Sequence, residues 1–137
     1  MKSLLDTDIL SEVLKSKDVR VLARARAYLA DHGAYSLSTI TVMEVVKGLS
    51  RKSREDAISR FLSVVDVSDV MKLDKVSAEL AGRIYADLER AGRDIGVADV
   101  LIAAIAIHHG MTLVTGNASD YVHIQEAGYA LRIESWR

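Results

Sequence analysis

The chain has 137 residues, of which half are hydrophobic and 27% are charged, and its formal net charge is −1. These values predict one ordered globular domain over residues 1–137 and exclude a generally basic nucleic-acid-binding surface. The absence of cysteine excludes disulfides and thiolate metal sites, and no segment resembles a signal peptide or a membrane span, so we expect a cytoplasmic protein without membrane contact.

Short apolar runs alternate with stretches of helical periodicity along the whole chain. In chain order the pattern predicts a strand at 2–5, helices at 9–14 and 19–31, a strand at 34–37, helices at 39–49 and 57–65, a strand at 64–67, helices at 74–91 and 96–109, a strand at 111–115, a loop or short helix at 116–121, and a strand at 129–133. Such alternation is typical of an α/β protein, here a three-layer sandwich around a short, mainly parallel central sheet.

Polar residues are expected to begin the helices, because the chain has no proline. Asp8 is predicted to cap the first helix, Ser38 or Thr39 the third, and Asp74 the helix at 74–91. In the helix at 19–31, the aliphatic spacing that starts at Val19 predicts the buried face.

The segment 96–110 is the most hydrophobic part of the chain. From Val100 to Ile107 every residue is apolar, which predicts a helix buried on all sides, too short to cross a bilayer. Asp99 lies in its first turn, where the free backbone N–H groups and the positive end of the helix dipole stabilise a carboxylate.

Several further polar residues follow predicted strands. Asp6 ends the first strand, and Thr115 and Asn117 follow the strand at 111–115. Ligands of open α/β sheets bind beyond the carboxyl ends of the strands. We therefore expect Asp6, Glu44 and Asp99 to converge at that edge, with Asp120 as a fourth acid.

Carboxylates that converge in this way need protons or a cation. Two of them about 4 Å apart repel by about 4 kcal/mol at an effective dielectric constant of about 20. Oxygen ligands without a thiolate favour Mg²⁺, or Mn²⁺ as a substitute, over zinc. A metal ion held by acids can orient a phosphate and activate water, so the pattern points to phosphoryl-transfer chemistry.

Four segments resemble the signatures of the PIN-domain family: LLDTDIL, TVMEVVKG, GRDIGVADVLIAAIA and LVTGNASDY. They occur in the family's order, and a closing IESW segment is similar to its VapC-type toxins of type II toxin–antitoxin pairs. This resemblance covers nearly the whole chain. It implies a Mg²⁺-dependent endoribonuclease that acts on RNA, is inhibited by a cognate antitoxin protein and is usually a homodimer.

The resemblance also implies site roles for six residues: Asp6 and Asp99 as metal ligands and catalytic acids, Glu44 and Asp120 as further catalytic acids, and Thr115 and Asn117 as supporting polar residues. Asn117 stands where some PIN nucleases carry aspartate, which leaves open whether one or two ions bind. Tyr121 stands where phenylalanine is more frequent, and this difference is expected to affect packing only.

Two other functions remain open at this point. The Asp6-Thr7-Asp8 sequence superficially resembles the paired aspartates of haloacid-dehalogenase-like phosphatases, but Leu10 stands where that family needs Thr or Val. A PIN fold could also serve as a non-catalytic partner-binding module, although buried acids without a function cost stability. Four basic residues could form a solvated face or could contact RNA phosphates: Lys47, Arg51, Lys52 and Arg54. His108 and His109 could be cations at the end of a helix or could be catalytic groups.

Overall fold

Five short strands form one sheet in which every neighbouring pair is parallel. The computed structural model describes residues 1–137, and the strands are β1 (Ser3–Leu5), β2 (Ser36–Ser38), β3 (Asp69–Met71), β4 (Thr112–Val114) and β5 (Arg132–Glu134). Their order in the sheet is β3-β2-β1-β4-β5. The chain therefore builds outward from β1 in one direction and then returns to add β4 on the other side of β1.

Seven helices connect and cover the strands. They are α1 (Thr7–Lys15), α2 (Val19–His32), α3 (Thr39–Arg51), α4 (Glu55–Asp66), α5 (Lys75–Arg90), α6 (Val97–His108) and α7 (Ala118–Glu126). None of them is long and apolar enough to span a bilayer.

Successive residues of each central strand face opposite sides of the sheet, as the pleat requires. Leu4 and Leu113 belong to a buried cluster formed with α5, α6 and α7, whereas Leu5 and Val114 belong to a second cluster formed with α1, α2 and α4. Helices thus cover both faces of the sheet. This confirms the predicted three-layer α/β sandwich with a parallel central sheet.

Helix α6 lies in the first of these cores. Six of its twelve residues are buried, and Gly110 follows its end with a positive φ of 64°. The predicted core helix is therefore present, and its first turn, with Asp99, lies at the end that emerges from the core.

The strand predicted at 64–67 is wrong. Val64 and Val65 continue α4, and the third strand begins only at Asp69. Val65 packs on the same cluster as Phe61, one turn earlier, so packing of the helix overrides the strand preference of these valines. The Ser68 hydroxyl then donates to the Val64 carbonyl at 2.7 Å and closes the helix.

Two details of the first helices also differ from the prediction. Asp6, not Asp8, is the N-cap residue of α1, and its carboxylate accepts from the Thr7 amide. In α2 the buried residues are Val21, Ala25 and Tyr28, while Val19 is 79% exposed. The Tyr28 hydroxyl exchanges hydrogen bonds with the backbone of Ser3, so this aromatic side chain sets the helix face that aliphatic spacing missed.

Candidate active site

Asp6 stands at the centre of the site, directly after β1. Its carboxylate is 4% exposed and accepts from the Thr7 amide at 2.9 Å and from the Thr115 hydroxyl at 2.8 Å. Thr115 directly follows β4, the neighbour of β1 at the point where the strand order reverses. The switch in topology therefore brings these two residues together, in the position where α/β sheets bind ligands.

The pKa of Asp6 is raised to about 6, chiefly by burial and also by the charges of Asp8 and Asp99, although the hydrogen bonds from Thr115 and Thr7 lower it. Asp6 takes part in none of the protein's salt bridges. Asp6 is thus an acid held ionised at neutral pH at a cost in free energy, which a bound cation would remove.

Asp99 faces the same site from the first turn of α6. It is half-buried, and its Oδ1 accepts from the Tyr121 hydroxyl at 3.2 Å. Burial raises the pKa of Asp99, as do the charges of Glu44, Asp120 and Asp8. These influences show that the acids on α6, α3 and α7 act on one another electrostatically.

Glu44 reaches the site from the middle of α3. Its Oε1 accepts from the Thr7 hydroxyl at 2.6 Å, and that hydroxyl also lies 3.0 Å from the hydroxyl of Thr41. Glu44 is thereby fixed to the first turn of α1, next to the Asp6 cap.

The segment after β4 supplies the remaining predicted residues. The Asn117 amide N–H donates to the Thr115 hydroxyl at 2.9 Å, and the Asn117 side chain donates to Asp120 Oδ2 at 2.9 Å. Asp120 is close enough to Asp99 to raise its pKa. Hydrogen bonds and mutual charge effects thus link all six predicted residues, and Asp6, Glu44, Asp99 and Asp120 are called the acidic cluster below. No three of these acids have carboxylate oxygens within 4.8 Å of one another.

Asp8 and Tyr121 also contact the site, in addition to the six residues named from the sequence. Asp8 accepts from the amide of Gly116 at 3.0 Å and so ties α1 to the segment after β4. Tyr121 is fully buried, and its hydroxyl contacts Asp99, so the expectation that it affects packing only is wrong. One signal was available for Tyr121: a buried tyrosine usually has a hydrogen-bond partner for its hydroxyl, and an acid precedes it in the sequence.

The donor set of the acidic cluster fits a hard divalent cation. Every charged group is a carboxylate, and the neighbouring groups are hydroxyls and an amide. Such oxygen ligands suit Mg²⁺ and Mn²⁺ better than zinc. The buried Asp6 keeps unused lone pairs on both oxygens, since each accepts only one hydrogen bond.

A second group of ionisable side chains lies at the opposite end of α6. Asp74, His108 and His109 bring possible ligand atoms within 4.8 Å of one another, and all three are exposed. Asp74 caps α5 through the Ser77 amide, which lowers its pKa, and its other oxygen pairs with His108 at 3.3 Å. The helix cap and the contact between Asp74 and His108 account for this group, and it is separate from the acidic cluster.

The whole-chain comparisons agree with the geometry. The PIN-domain family model matches residues 3–124. The chain is 31% identical over 140 residues to the tRNA(fMet)-specific endonuclease VapC of Shigella flexneri, with 99% of this chain and 98% of the relative covered. It is 31% identical, with the same coverage, to Ribonuclease VapC2 of Haemophilus influenzae.

Several solved structures with the same fold are VapBC or other toxin–antitoxin complexes. The toxin chain of VapBC2 from Rickettsia felis, bound to a promoter DNA fragment, superposes with a TM-score of 0.85 and 25% identity over 100% of both chains. The matching chain of DNA-bound VapBC from Salmonella typhimurium gives a TM-score of 0.79 and 29% identity, covering 100% of this chain and 99% of that one.

Proposed function

The chain belongs to the PIN-domain family, in its VapC ribonuclease group, and we propose from this premise that its acidic cluster cleaves RNA with the aid of Mg²⁺. Family membership makes it an endoribonuclease of the toxin type. The identity of the ion and the roles of the individual residues are our proposal.

One observation carries this assignment: Asp6 is 4% exposed, the charges of Asp8 and Asp99 act on it, and it takes part in none of the protein's salt bridges. A buried carboxylate in such surroundings costs stability unless it has a partner. The same fact speaks against a non-catalytic module, and the ribonuclease relatives speak against a phosphatase.

Asp6 and Asp99 are the proposed metal ligands, because Asp6 directly follows β1 where the strand order reverses and the charge of Asp99, in the first turn of α6, acts on it. When bound, Mg²⁺ supplies a Lewis acid that activates water and neutralises charge on the phosphate. Thr115 and the Thr7 amide orient Asp6, and Asn117 orients Asp120. Glu44, held by Thr7, completes the negative surroundings of the ion.

A basic strip on α3 is the proposed path of the RNA backbone. Lys47 and Arg51 follow Glu44 at intervals of three and seven residues, which places them on the same side of the helix, and both are exposed. Exposed basic side chains beside an acidic metal site would hold phosphates while the cluster acts on one of them.

The proposed partners follow from the relatives. The Rickettsia felis and Salmonella typhimurium complexes pair a toxin of this fold with an antitoxin. We infer a cognate antitoxin that inhibits this chain, a homodimer of single-domain protomers spanning residues 1–137, and action in the cytoplasm, where cellular RNA is found.

The test is cleavage of end-labelled RNA by the purified chain, with Mg²⁺ and with EDTA. We expect cleavage only with the metal, and its loss in Asp6→Asn. Asp66→Asn is the matched control, because Asp66 is an exposed acid at the end of α4 with no hydrogen bond from another side chain. Cleavage that survives EDTA, or equal activity of Asp6→Asn and the control, would contradict the proposal.

A further inference from the structure

Tyr121 is the largest fully buried side chain of the protein, and its polar end lies in the acidic cluster. A tyrosine hydroxyl carries its proton at neutral pH, and here it donates to Asp99 Oδ1 at 3.2 Å. A phenylalanine would fill the same space without this donor.

The acids of the cluster differ in how they are held. Asp6 has two donors, the Thr7 amide and the Thr115 hydroxyl. Asp99 has one, because the Tyr121 hydroxyl is the sole protein group that donates to its carboxylate, and it does so at Oδ1. Its second oxygen, Oδ2, accepts no hydrogen bond from the protein and is free for another ligand.

We propose that Tyr121 is a positioning residue, which fixes the Asp99 carboxylate through Oδ1 and leaves Oδ2 available for the divalent cation. This inference rests on the proposed function. Groups that orient a metal ligand typically contribute about 10- to 100-fold to metal affinity or activity. A fixed carboxylate loses less rotational freedom on binding an ion than a freely rotating one.

The test compares Mn²⁺ binding, measured by the electron paramagnetic resonance signal of the free ion, in the wild type and in Tyr121→Phe. We expect affinity to fall by about 10-fold or more. The Michaelis constant for RNA should stay within about twofold of the wild type, because buried Tyr121 acts on the ion and not on the RNA. Cleavage lost at low Mg²⁺ should return at high Mg²⁺.

Tyr129→Phe is the matched control. Its hydroxyl also donates to an aspartate, Asp87, but at the surface and outside the acidic cluster. This variant should bind Mn²⁺ and cleave RNA as the wild type does. Equal Mn²⁺ affinity of Tyr121→Phe and Tyr129→Phe would overturn the proposal.

A structural role alone would lower the thermal midpoint of metal-free Tyr121→Phe and leave its Mn²⁺ affinity unchanged, which also overturns the proposal. If that variant does not fold, wild-type protein labelled with 3-fluorotyrosine provides the test instead. Saturating Mg²⁺ should shift the fluorine resonance of Tyr121, and an unchanged resonance would contradict the proposal. Wild-type protein that neither binds Mn²⁺ nor cleaves RNA would refute the proposed function itself. Wild-type protein that does both, beside an unaffected Tyr121→Phe, would refute only this inference.

Discussion

Asp6→Asn should make the metal-free protein more stable at neutral pH, although it removes a hydrogen-bonded residue. Burial raises the Asp6 pKa from its ordinary value of 3.8 to about 6, which corresponds to a loss of about 3 kcal/mol in the free energy of unfolding once the group is ionised in both states. Asparagine carries no charge, but it cannot accept from both donors of Asp6, which costs about 1 kcal/mol. The net gain should be about 1 to 3 kcal/mol.

The sign of this effect depends on pH. The pKa of Asp6 is higher in the folded protein than its ordinary value. Ionisation of Asp6 therefore does not lower the free energy of unfolding below that ordinary pKa, and it lowers it in full above about pH 6. The advantage of Asp6→Asn should therefore be present at pH 7.5 and vanish near pH 4. Urea unfolding in EDTA at both pH values measures it, with Asp66→Asn expected to change stability by less than about 0.5 kcal/mol.

With Mg²⁺ bound, the wild type should become more stable than Asp6→Asn. At a concentration of about 1,000 times its dissociation constant, the ion would stabilise the wild type by about 4.1 kcal/mol, whereas Asp6→Asn lacks the ligand. A variant that is less stable than the wild type in EDTA at pH 7.5, or a difference that does not change with pH, would refute the reasoning about Asp6.

Asp99→Asn should lower Mn²⁺ affinity and RNA cleavage together, by about two orders of magnitude. The thermal midpoint of the metal-free variant should equal that of the wild type or lie slightly above it. A less stable but fully active variant would show that Asp99 is only a helix-terminal acid. Lys47→Ala should weaken the binding of RNA of any sequence and reduce the slope of log affinity against log salt concentration by about one. An unchanged slope in a salt titration would show that Lys47 does not contact the RNA backbone. Light scattering should give the mass of a dimer at micromolar concentration, and a mass of about 15 kDa would contradict the proposed homodimer.

The parts of the fold that hydrophobic pattern alone specifies could be predicted from the sequence. The all-apolar stretch of α6 permits only a buried helix, and the short strands around Leu4 and Leu113 permit only a sheet covered on both faces. The third strand could not be located, because Val64 and Val65 suit a helix or a strand and the packing of α4 decided between them.

The side chains of the candidate site could be named from the sequence as a prediction, but their contacts could not. That Asp6 bonds Thr115 follows from the adjacency of β1 and β4, which is a property of strand order and not of local sequence. The bonds from Tyr121 to Asp99 and from Gly116 to Asp8 join residues far apart in the chain. They depend on where α7 packs, and no pattern within the segment 116–121 encodes that position.

The most direct test of the central claim is anomalous diffraction from crystals soaked in Mn²⁺. We predict a peak between Asp6 and Asp99, within ligand distance of both carboxylates. The group formed by Asp74, His108 and His109 provides an internal comparison, because it offers possible ligands at the other end of α6. A peak at that group alone, or no peak at the acidic cluster at saturating Mn²⁺, would contradict the account.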